Sequence, residues 1–129
     1  MTGGQMAPTT MLEQKTTTSP LGRSKTLDGY PVKVSEIFSQ LKGVTYLERC
    51  MVNSPANVNK TKKAIKKAFQ CQIDGLGFSL IEILSPCPTN WKMNSVNSCK
   101  WIDDVMSKEF PPGVYKDDIA ASKKTMEET

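Results

Sequence analysis

This chain of 129 residues carries 17 Lys and Arg against 13 Asp and Glu, a net charge of +4, and it contains no histidine. Its length allows one domain at most, and 38% apolar with 7% aromatic residues predicts a small core. The charge suits an acidic partner but is far from a nucleic-acid signature. Without histidine the commonest general base and the His-based nucleophile pairs are excluded, so any chemistry must come from a cofactor or another chain.

Four cysteines are present: Cys50, Cys71, Cys87 and Cys99. Their spacing matches neither a dense disulfide scaffold nor a local zinc or iron–sulfur motif. No apolar run approaches the ~20 residues needed to cross a bilayer, and the first residues lack the basic and apolar regions of a secretory signal. We therefore expect a cytoplasmic protein with reduced thiols and no membrane contact.

Residues 1–28 are rich in threonine and show neither helical nor alternating apolar periodicity. An irregular stretch of this length is uncommon unless it is functional or disordered, so composition leaves a ligand loop and a disordered tail both open. Thr2, Gly3, Gly4 and Gln5 offer a hydroxyl, an amide and two positions without Cβ, which would let a charged ligand approach the main chain. A glycine turn with a hydroxyl cap is the structural alternative.

Two helices and two strands are predicted next. Apolar residues at helical spacing indicate a short helix over 34–41, which Gly43 stops. Residues that favour strands then indicate a strand over 44–50. A helix over 56–70 follows, and after a glycine turn comes the strand 78–84. Because this last run is almost continuously apolar, we expect the strand to be covered on both faces.

The helix over 56–70 is predicted to be amphipathic. Its inner face is apolar: Ala64, Ile65, Ala68 and Phe69. Its other half carries five lysines: Lys60, Lys62, Lys63, Lys66 and Lys67. A solvated charged face is the plain interpretation, and a docking face for an acidic electron carrier is the alternative.

A third helix is predicted over 95–108, with Asn94 or Ser95 as its N-cap. Its apolar face comprises Val96, Cys99, Ile102, Val105 and Met106, so Cys99 is expected to lie in the core. The order helix, strand, helix, strand, helix predicts an α/β fold built on a right-handed βαβ unit. We expect an irregular segment over 1–28, an α/β portion over 29–117 and a frayed tail over 118–129.

Cys87 lies directly after the strand 78–84, between Pro86 and Pro88. Ligands in open α/β sheets collect beyond the carboxyl ends of the strands, and the two prolines stiffen this loop. Cys87 is therefore a candidate functional thiol, with an inert cysteine as the alternative. Cys50 and Cys71 are expected to be structural.

Three segments together resemble the thiamine diphosphate-binding beta subunit of 2-oxoacid:ferredoxin oxidoreductases. They are TGGQMAPTT at 2–10, QKTTTSPLGR at 14–23 and LSPCPTNW at 84–91. The likeness covers about residues 1–117 and implies the C-terminal portion of a thiamine diphosphate-binding fold, with part of a doubly wound parallel sheet. Members of that family carry, upstream of TGGQ, an acidic glycine-rich motif and an asparagine-containing segment that hold magnesium and the diphosphate, and this sequence has neither.

The resemblance implies oxidative decarboxylation of a 2-oxoacid to acyl-CoA, with electrons passed through iron–sulfur centres to ferredoxin. It places Thr2, Gly3, Gly4 and Gln5 against the thiamine diphosphate. It makes Cys87 the candidate fourth ligand of a [4Fe–4S] cluster, whose other three family cysteines are absent here. Thiamine diphosphate, magnesium and [4Fe–4S] are thus the implied cofactors, and we expect none of them to bind this chain alone.

The partners that the resemblance implies are the missing N-terminal half of the beta subunit, alpha- and gamma-type subunits, ferredoxin, the 2-oxoacid and coenzyme A. We therefore expect a split or truncated subunit that is inactive alone and prone to associate through the strand 78–84. Two alternatives stay open: a stand-alone α/β interaction module with the lysine face, and an inactive remnant.

Overall fold

The computed structural model of the chain describes residues 6–127, apart from the side chain of Met126. The elements, in order, are α1 (Val34–Ser39), β1 (Val44–Met51), α2 (Pro55–Ile73), β2 (Phe78–Leu84), α3 (Pro88–Trp91), α4 (Ser95–Trp101), a π-helical segment (Ile102–Met106), α5 (Ser107–Glu109), β3 (Gly113–Asp117) and α6 (Ile119–Glu127). The predicted α/β class is confirmed. Within the described range, every helix is too short or too polar to cross a bilayer.

Local signals explain where α2 and α4 begin. Ser54 caps α2, because its Oγ accepts a hydrogen bond from the Asn57 N–H at 3.3 Å, and the proline that follows suits the first helical position. The Asn94 Oδ1 accepts from the Asn97 N–H at 2.8 Å, which confirms the predicted cap of α4. After α2, Gly75 adopts a left-handed φ of 67° and ends the helix.

The three strands form one sheet in the order β2-β1-β3. β1 and β2 run parallel, with Val44 opposite Phe78 and Met51 opposite Leu84, as the predicted βαβ unit requires. β3 pairs antiparallel with the other edge of β1. The sheet is therefore mixed, and its antiparallel strand is an addition to the parallel pair that the sequence predicted.

Neither β3 nor α6 was predicted from the sequence. The residues of α6 fall in the segment that was expected to fray, yet the structure places Ile119 against the core beneath α2. The Lys123 Nζ also lies 3.7 Å from the Asp74 carboxylate. These contacts are tertiary, so the charged local sequence gives no sign of the helix.

β1 is the central strand, and six of its eight residues are buried. β2 was expected to be covered on both faces, but it lies at an edge of the sheet and only Leu84 in it is buried. Phe78 and Ile83 remain 46% and 39% exposed. The described helices therefore leave part of the apolar surface of β2 uncovered.

One core cluster lies between α2 and the sheet. Its buried members are Tyr46, Ala68, Cys71 and Leu76, with Ile81 and Ile119 packed against them. The buried residues of α2 are Thr61, Ala64, Ala68 and Cys71. The inner face is therefore rotated from the predicted one, and Phe69 is 66% exposed. The five lysines of α2 are exposed, as predicted.

A second core cluster forms where the irregular N-terminal segment meets the end of β2. It contains Met11, Leu84, Ile102 and Phe110. Trp91 and Trp101 border it, with ring centres 4.9 Å apart. The irregular segment therefore contributes to the core.

Arg49 ties four elements together from a completely buried position on β1. Its two terminal nitrogens donate to both carboxylate oxygens of Glu36 on α1, at 3.0 and 2.5 Å. Its Nε donates to the Glu82 Oε2 on β2 at 2.8 Å, and Nη1 donates to the Tyr115 hydroxyl on β3 at 2.5 Å. Ser35 donates to the same oxygen of Glu82. We call these five residues the Arg49 network.

We expect Arg49→Met to destabilise the chain by about 3–5 kcal/mol, because it leaves the carboxylate of Glu82, whose side chain is 15% exposed, without its cation. Lys33→Met removes a cation from an exposed pair, Lys33–Glu109 at 3.1 Å, and should cost less than about 1 kcal/mol. Urea unfolding of both variants measures the difference. Equal losses would show that burial of the Arg49 network contributes little.

The free energy of unfolding should also depend on pH through the Glu36 carboxyl. The hydrogen bonds from Arg49 hold the pKa of this carboxyl below its ordinary value of 4.5. A lowered folded-state pKa stabilises the fold above the unfolded pKa, and this stabilisation is lost as the pH falls through the folded pKa. Glu36→Gln should therefore be less stable than the parent at about pH 7 and should lose less stability between about pH 5 and pH 3. Urea midpoints across this range test the expectation, and parallel pH profiles would contradict it.

Candidate functional site

A cavity of about 500 Å³ lies along one side of β2 towards its carboxyl end. The N-terminal segment lines it with Ala7, Thr9, Thr10, Gln14 and Thr16, and the stretch after β2 lines it with Ser85, Asn90 and Trp91. Val34, Met106 and Phe110 complete the wall around the residues of β2. The cavity thus joins the motif segments that lie far apart in the sequence.

A direct contact joins the same two segments. The Thr17 N–H lies 3.1 Å from both the main-chain oxygen and the side-chain Oδ1 of Asn90. Asn90 belongs to α3, the short helix after Cys87. The position of α3 and the position of the threonine-rich loop therefore depend on each other.

Arg23 holds the N-terminal segment in place. This side chain is buried, and its guanidinium contacts six main-chain carbonyl oxygens within 3.3 Å. The six carbonyls belong to Ala7, Pro8, Thr10, Asp28, Gly29 and Tyr30. Because both ends of the segment bind one cation, residues 7–30 form a closed loop without regular secondary structure.

Gly22, which precedes Arg23, is required by the close approach of two main-chain segments in this loop. Gly22 has a φ of 88°, which L side chains rarely adopt. A Cβ at this position would lie 2.9 Å from the Glu13 carbonyl oxygen. The Gly22-Arg23 pair therefore combines close main-chain approach with the cation that binds the surrounding carbonyls.

Glu82 is the carboxylate among the residues that line the cavity. Its side chain is 15% exposed, and its Oε2 accepts from Arg49 at 2.8 Å. The remaining polar lining is neutral, with threonine hydroxyls and the amides of Gln14 and Asn90. The arrangement suits a ligand that is held by hydrogen bonds and main-chain contacts.

Comparison with known proteins finds relatives along nearly the whole chain. The ketoisovalerate oxidoreductase subunit VorA of Methanothermobacter thermautotrophicus is 37% identical over 95% of this chain, which covers 26% of that subunit. The same subunit of Methanothermobacter marburgensis is 38% identical over 91% of the chain and 24% of its own length. The 2-oxoglutarate synthase subunit KorB of Archaeoglobus fulgidus is 31% identical over 92% of the chain and 44% of its own length.

This chain is related to part of the 2-oxoacid:ferredoxin oxidoreductase subunits. The resemblance seen in the sequence is thereby confirmed. The chain spans between about a quarter and somewhat under half of the length of these curated relatives. No family model matches it, and no solved structure does either.

The candidate cofactor loop lies at the start of the sequence. Thr2, Gly3, Gly4 and Gln5 lie outside the described residues, so their contact with a cofactor stays a prediction. The residues that follow them enter the site, since Ala7 lines the cavity and Thr10 is buried beside it.

Cys87 is half-buried at the start of α3, and its carbonyl accepts a hydrogen bond from the Trp91 N–H at 3.0 Å. It is not among the residues that line the cavity. Within residues 6–127 no three His, Cys, Asp or Glu side chains are grouped to hold a metal ion. The described cysteines are therefore not grouped as a [4Fe–4S] cluster requires, and the role of Cys87 as a ligand stays a prediction.

The other cysteines of the segment differ in burial. Cys50 and Cys71 are buried, and burial raises the pKa of the Cys50 thiol to about 11 and raises that of Cys71 as well. Both thiols are thus held protonated at neutral pH. Cys99, which was expected in the core, is half-buried.

Sequence reasoning missed Arg23 and Glu82 as parts of this site. Arg23 lies in a polar segment whose composition gives no sign of burial. Glu82 had a signal, because it is the one charged residue in an apolar strand and lies opposite Arg49 in the parallel register. A lone charge in an otherwise apolar strand indicates a partner of opposite charge on the neighbouring strand.

We expect Arg23→Met to loosen residues 7–30 while the sheet stays folded, because six main-chain carbonyls lose their shared donor. Amide hydrogen exchange should quicken at least about tenfold in this loop and stay unchanged in β1. Lys15→Met in the same loop serves as the control. Unchanged exchange in the loop of the Arg23 variant would contradict the role given to the guanidinium.

Proposed function

We propose that this chain forms part of the thiamine diphosphate-binding, beta-type subunit of a 2-oxoacid:ferredoxin oxidoreductase. The enzyme would decarboxylate a 2-oxoacid oxidatively to acyl-CoA and pass the electrons to ferredoxin. The observation that carries this proposal is the similarity, over more than nine-tenths of the chain, to subunits named for two different 2-oxoacids. The chain therefore corresponds to a part that enzymes for ketoisovalerate and 2-oxoglutarate share.

The position of the cavity supports the proposal. It lies at the carboxyl end of a parallel strand, where ligands of open α/β sheets bind. The three motif segments that carry the resemblance surround it or hold its walls. A site in which motif segments distant in the sequence converge is the arrangement that a shared cofactor or substrate pocket requires.

In this proposal Thr2, Gly3, Gly4 and Gln5 approach thiamine diphosphate. Thiamine diphosphate supplies the carbanion stabilisation for decarboxylation when it is bound. Arg23 and Asn90 hold the loop that leads into the cavity. Arg49 pairs with Glu82, so that the carboxylate at the cavity wall has a cation beside it.

The remaining cofactor ligands are proposed to come from other parts of a cytoplasmic assembly. Cys87 would supply one thiolate to the [4Fe–4S] cluster, and the other three would come from another polypeptide segment. Magnesium ligands would likewise lie outside residues 6–127. Alpha- and gamma-type subunits, ferredoxin and coenzyme A are the partners of this proposal.

Purification of the affinity-tagged chain from its own host tests the proposed function. We expect oxidoreductase subunits to co-purify and the complex to reduce methyl viologen when a 2-oxoacid and coenzyme A are supplied. Assays with 2-oxoisovalerate and 2-oxoglutarate in parallel identify the preferred substrate. A chain that purifies without oxidoreductase subunits, or a complex inactive with every 2-oxoacid, would overturn the proposal.

Cys87→Ala should lower the iron content of that complex by roughly four atoms per cluster lost, because such a cluster needs four thiolates. Cys99→Ala is the matched control: it should keep the iron and lower stability by roughly 1–3 kcal/mol as a truncation of a half-buried side chain. Iron analysis and thermal unfolding measure the two effects. Equal iron in both variants would exclude Cys87 as a ligand.

A further inference from the structure

The outer side of α2 carries charge of one sign. The sequence of this helix contains five lysines and neither aspartate nor glutamate. At about 3.6 residues per turn, Lys62, Lys63 and Lys66 lie on the side of α2 opposite the buried Thr61 and Ala68. All three lysine side chains are exposed. We call these three residues the outer lysine face.

The described chain does not neutralise the outer lysine face. Within residues 6–127, the ion pairs of the α2 lysines comprise one pair alone, between Lys67 and Asp117 on β3. Lys66 lies four residues from Lys62 and three from Lys63, so their like charges repel along the helix. A helix that only faces water usually mixes both signs of charge. The uniform positive sign therefore points to a partner of opposite charge.

The outer lysine face begins at the end of the sheet where Cys87 lies. The Thr61 Oγ1 donates to the main-chain oxygen of Met51 at 3.1 Å, which places this turn of α2 beside the carboxyl end of β1. In the parallel register Met51 lies opposite Leu84, the last residue of β2, and the chain then continues directly to Cys87. The first lysines of the face and the candidate cluster ligand thus share one end of the sheet.

The chemistry of lysine favours a carboxylate-bearing partner that binds and leaves. Lysine is a hydrated point charge, whereas arginine provides the planar fork that recognises phosphate with two bonds, and α2 contains no arginine. Attraction between exposed charges speeds association more than it strengthens the complex. Encounters that transfer electrons use small, weak interfaces of this kind. These properties match an acidic electron carrier better than a nucleic acid.

We propose that the outer lysine face docks an acidic electron-carrier protein through the carboxylates of that protein. That the carrier is ferredoxin rests on the proposed function. In that reaction a 2-oxoacid anion and coenzyme A give acyl-CoA, carbon dioxide, a proton and an electron pair. Each oxidised ferredoxin takes a single electron and leaves reduced, so a second ferredoxin must dock before the turnover is complete. A surface of exposed lysines allows this exchange because it releases its partner quickly.

Kinetics of the complex purified from the host, with the electron acceptor varied, test this surface. The variant Lys62→Gln/Lys63→Gln/Lys66→Gln removes the charges of the face. We expect its kcat/KM for ferredoxin purified from the host to fall at least about tenfold, chiefly through KM, because electrostatic steering is lost. Its ferredoxin kinetics should also depend less on salt concentration. The variant should reduce methyl viologen at the parent rate, since a small dye needs no docking surface.

A matched control removes the same charge elsewhere. Lys42→Gln/Lys108→Gln/Lys124→Gln changes three exposed lysines outside α2, and it should keep the parent kcat/KM for ferredoxin. Cross-linking with a carbodiimide gives a second readout, because this reagent joins a lysine amine to a carboxylate in direct contact. Mass spectrometry should find lysines of the outer lysine face linked to acidic residues of ferredoxin.

The outcomes separate the docking proposal from the proposed function. An active complex in which both triple variants treat ferredoxin alike would overturn the docking proposal alone. Links from the outer lysine face to a carboxylate of an oxidoreductase subunit would overturn the proposed occupant, as would a labelled oligonucleotide that binds the parent complex and not the α2 variant. Links to ferredoxin in a complex that reduces no methyl viologen with any 2-oxoacid would support the docking surface and count against the proposed function.

Discussion

The buried guanidinium of Arg49 is the interaction on which the rest of the fold depends. A cation enclosed in the interior needs all its donors occupied, and here the partners come from α1, β2 and β3. The Tyr115 ring also lies 4.7 Å from the guanidinium carbon. A short helix and a short antiparallel strand, neither of which is stable alone, are thereby held on the parallel pair. The hydrogen bond from the Arg49 Nε also holds Glu82 at the cavity wall. The fold and the site therefore depend on the same ion pair.

The two buried arginines bind different kinds of partner. Arg49 is matched by the carboxylates of Glu36 and Glu82, which orient regular elements. Arg23 binds main-chain carbonyls instead, and these are the groups that an irregular segment leaves without partners. A loop without helix or strand can therefore line a cavity with a defined shape. The threonine-rich composition left both a ligand loop and a disordered tail open, and in the structure this segment is an ordered wall that Arg23 holds.

Local periodicity was sufficient to predict β1, α2, β2 and the cap of α4, because these elements follow from side-chain spacing and capping residues. It could not predict β3 or α6, whose stability comes from contacts such as those of Tyr115 and Ile119. It also misplaced Phe69, since the position of α2 over the central strand decides which side chains are covered. For the site, the motifs indicated which segments matter and the strand ends indicated where they meet. The contact of Thr17 with Asn90 depends on the whole fold.

The link between Thr17 and Asn90 has a consequence for how the molecule is made. These residues are 73 positions apart, so bringing them together closes a long loop, and such contacts form late because the chain entropy is lost before the contact is gained. During synthesis the threonine-rich segment leaves the ribosome before β1, α2 and β2. The parallel pair can assemble in that interval, whereas the cavity cannot close until α3 has emerged. The wall of the site is thus the first part of the described chain to be synthesised and one of the last to reach its place.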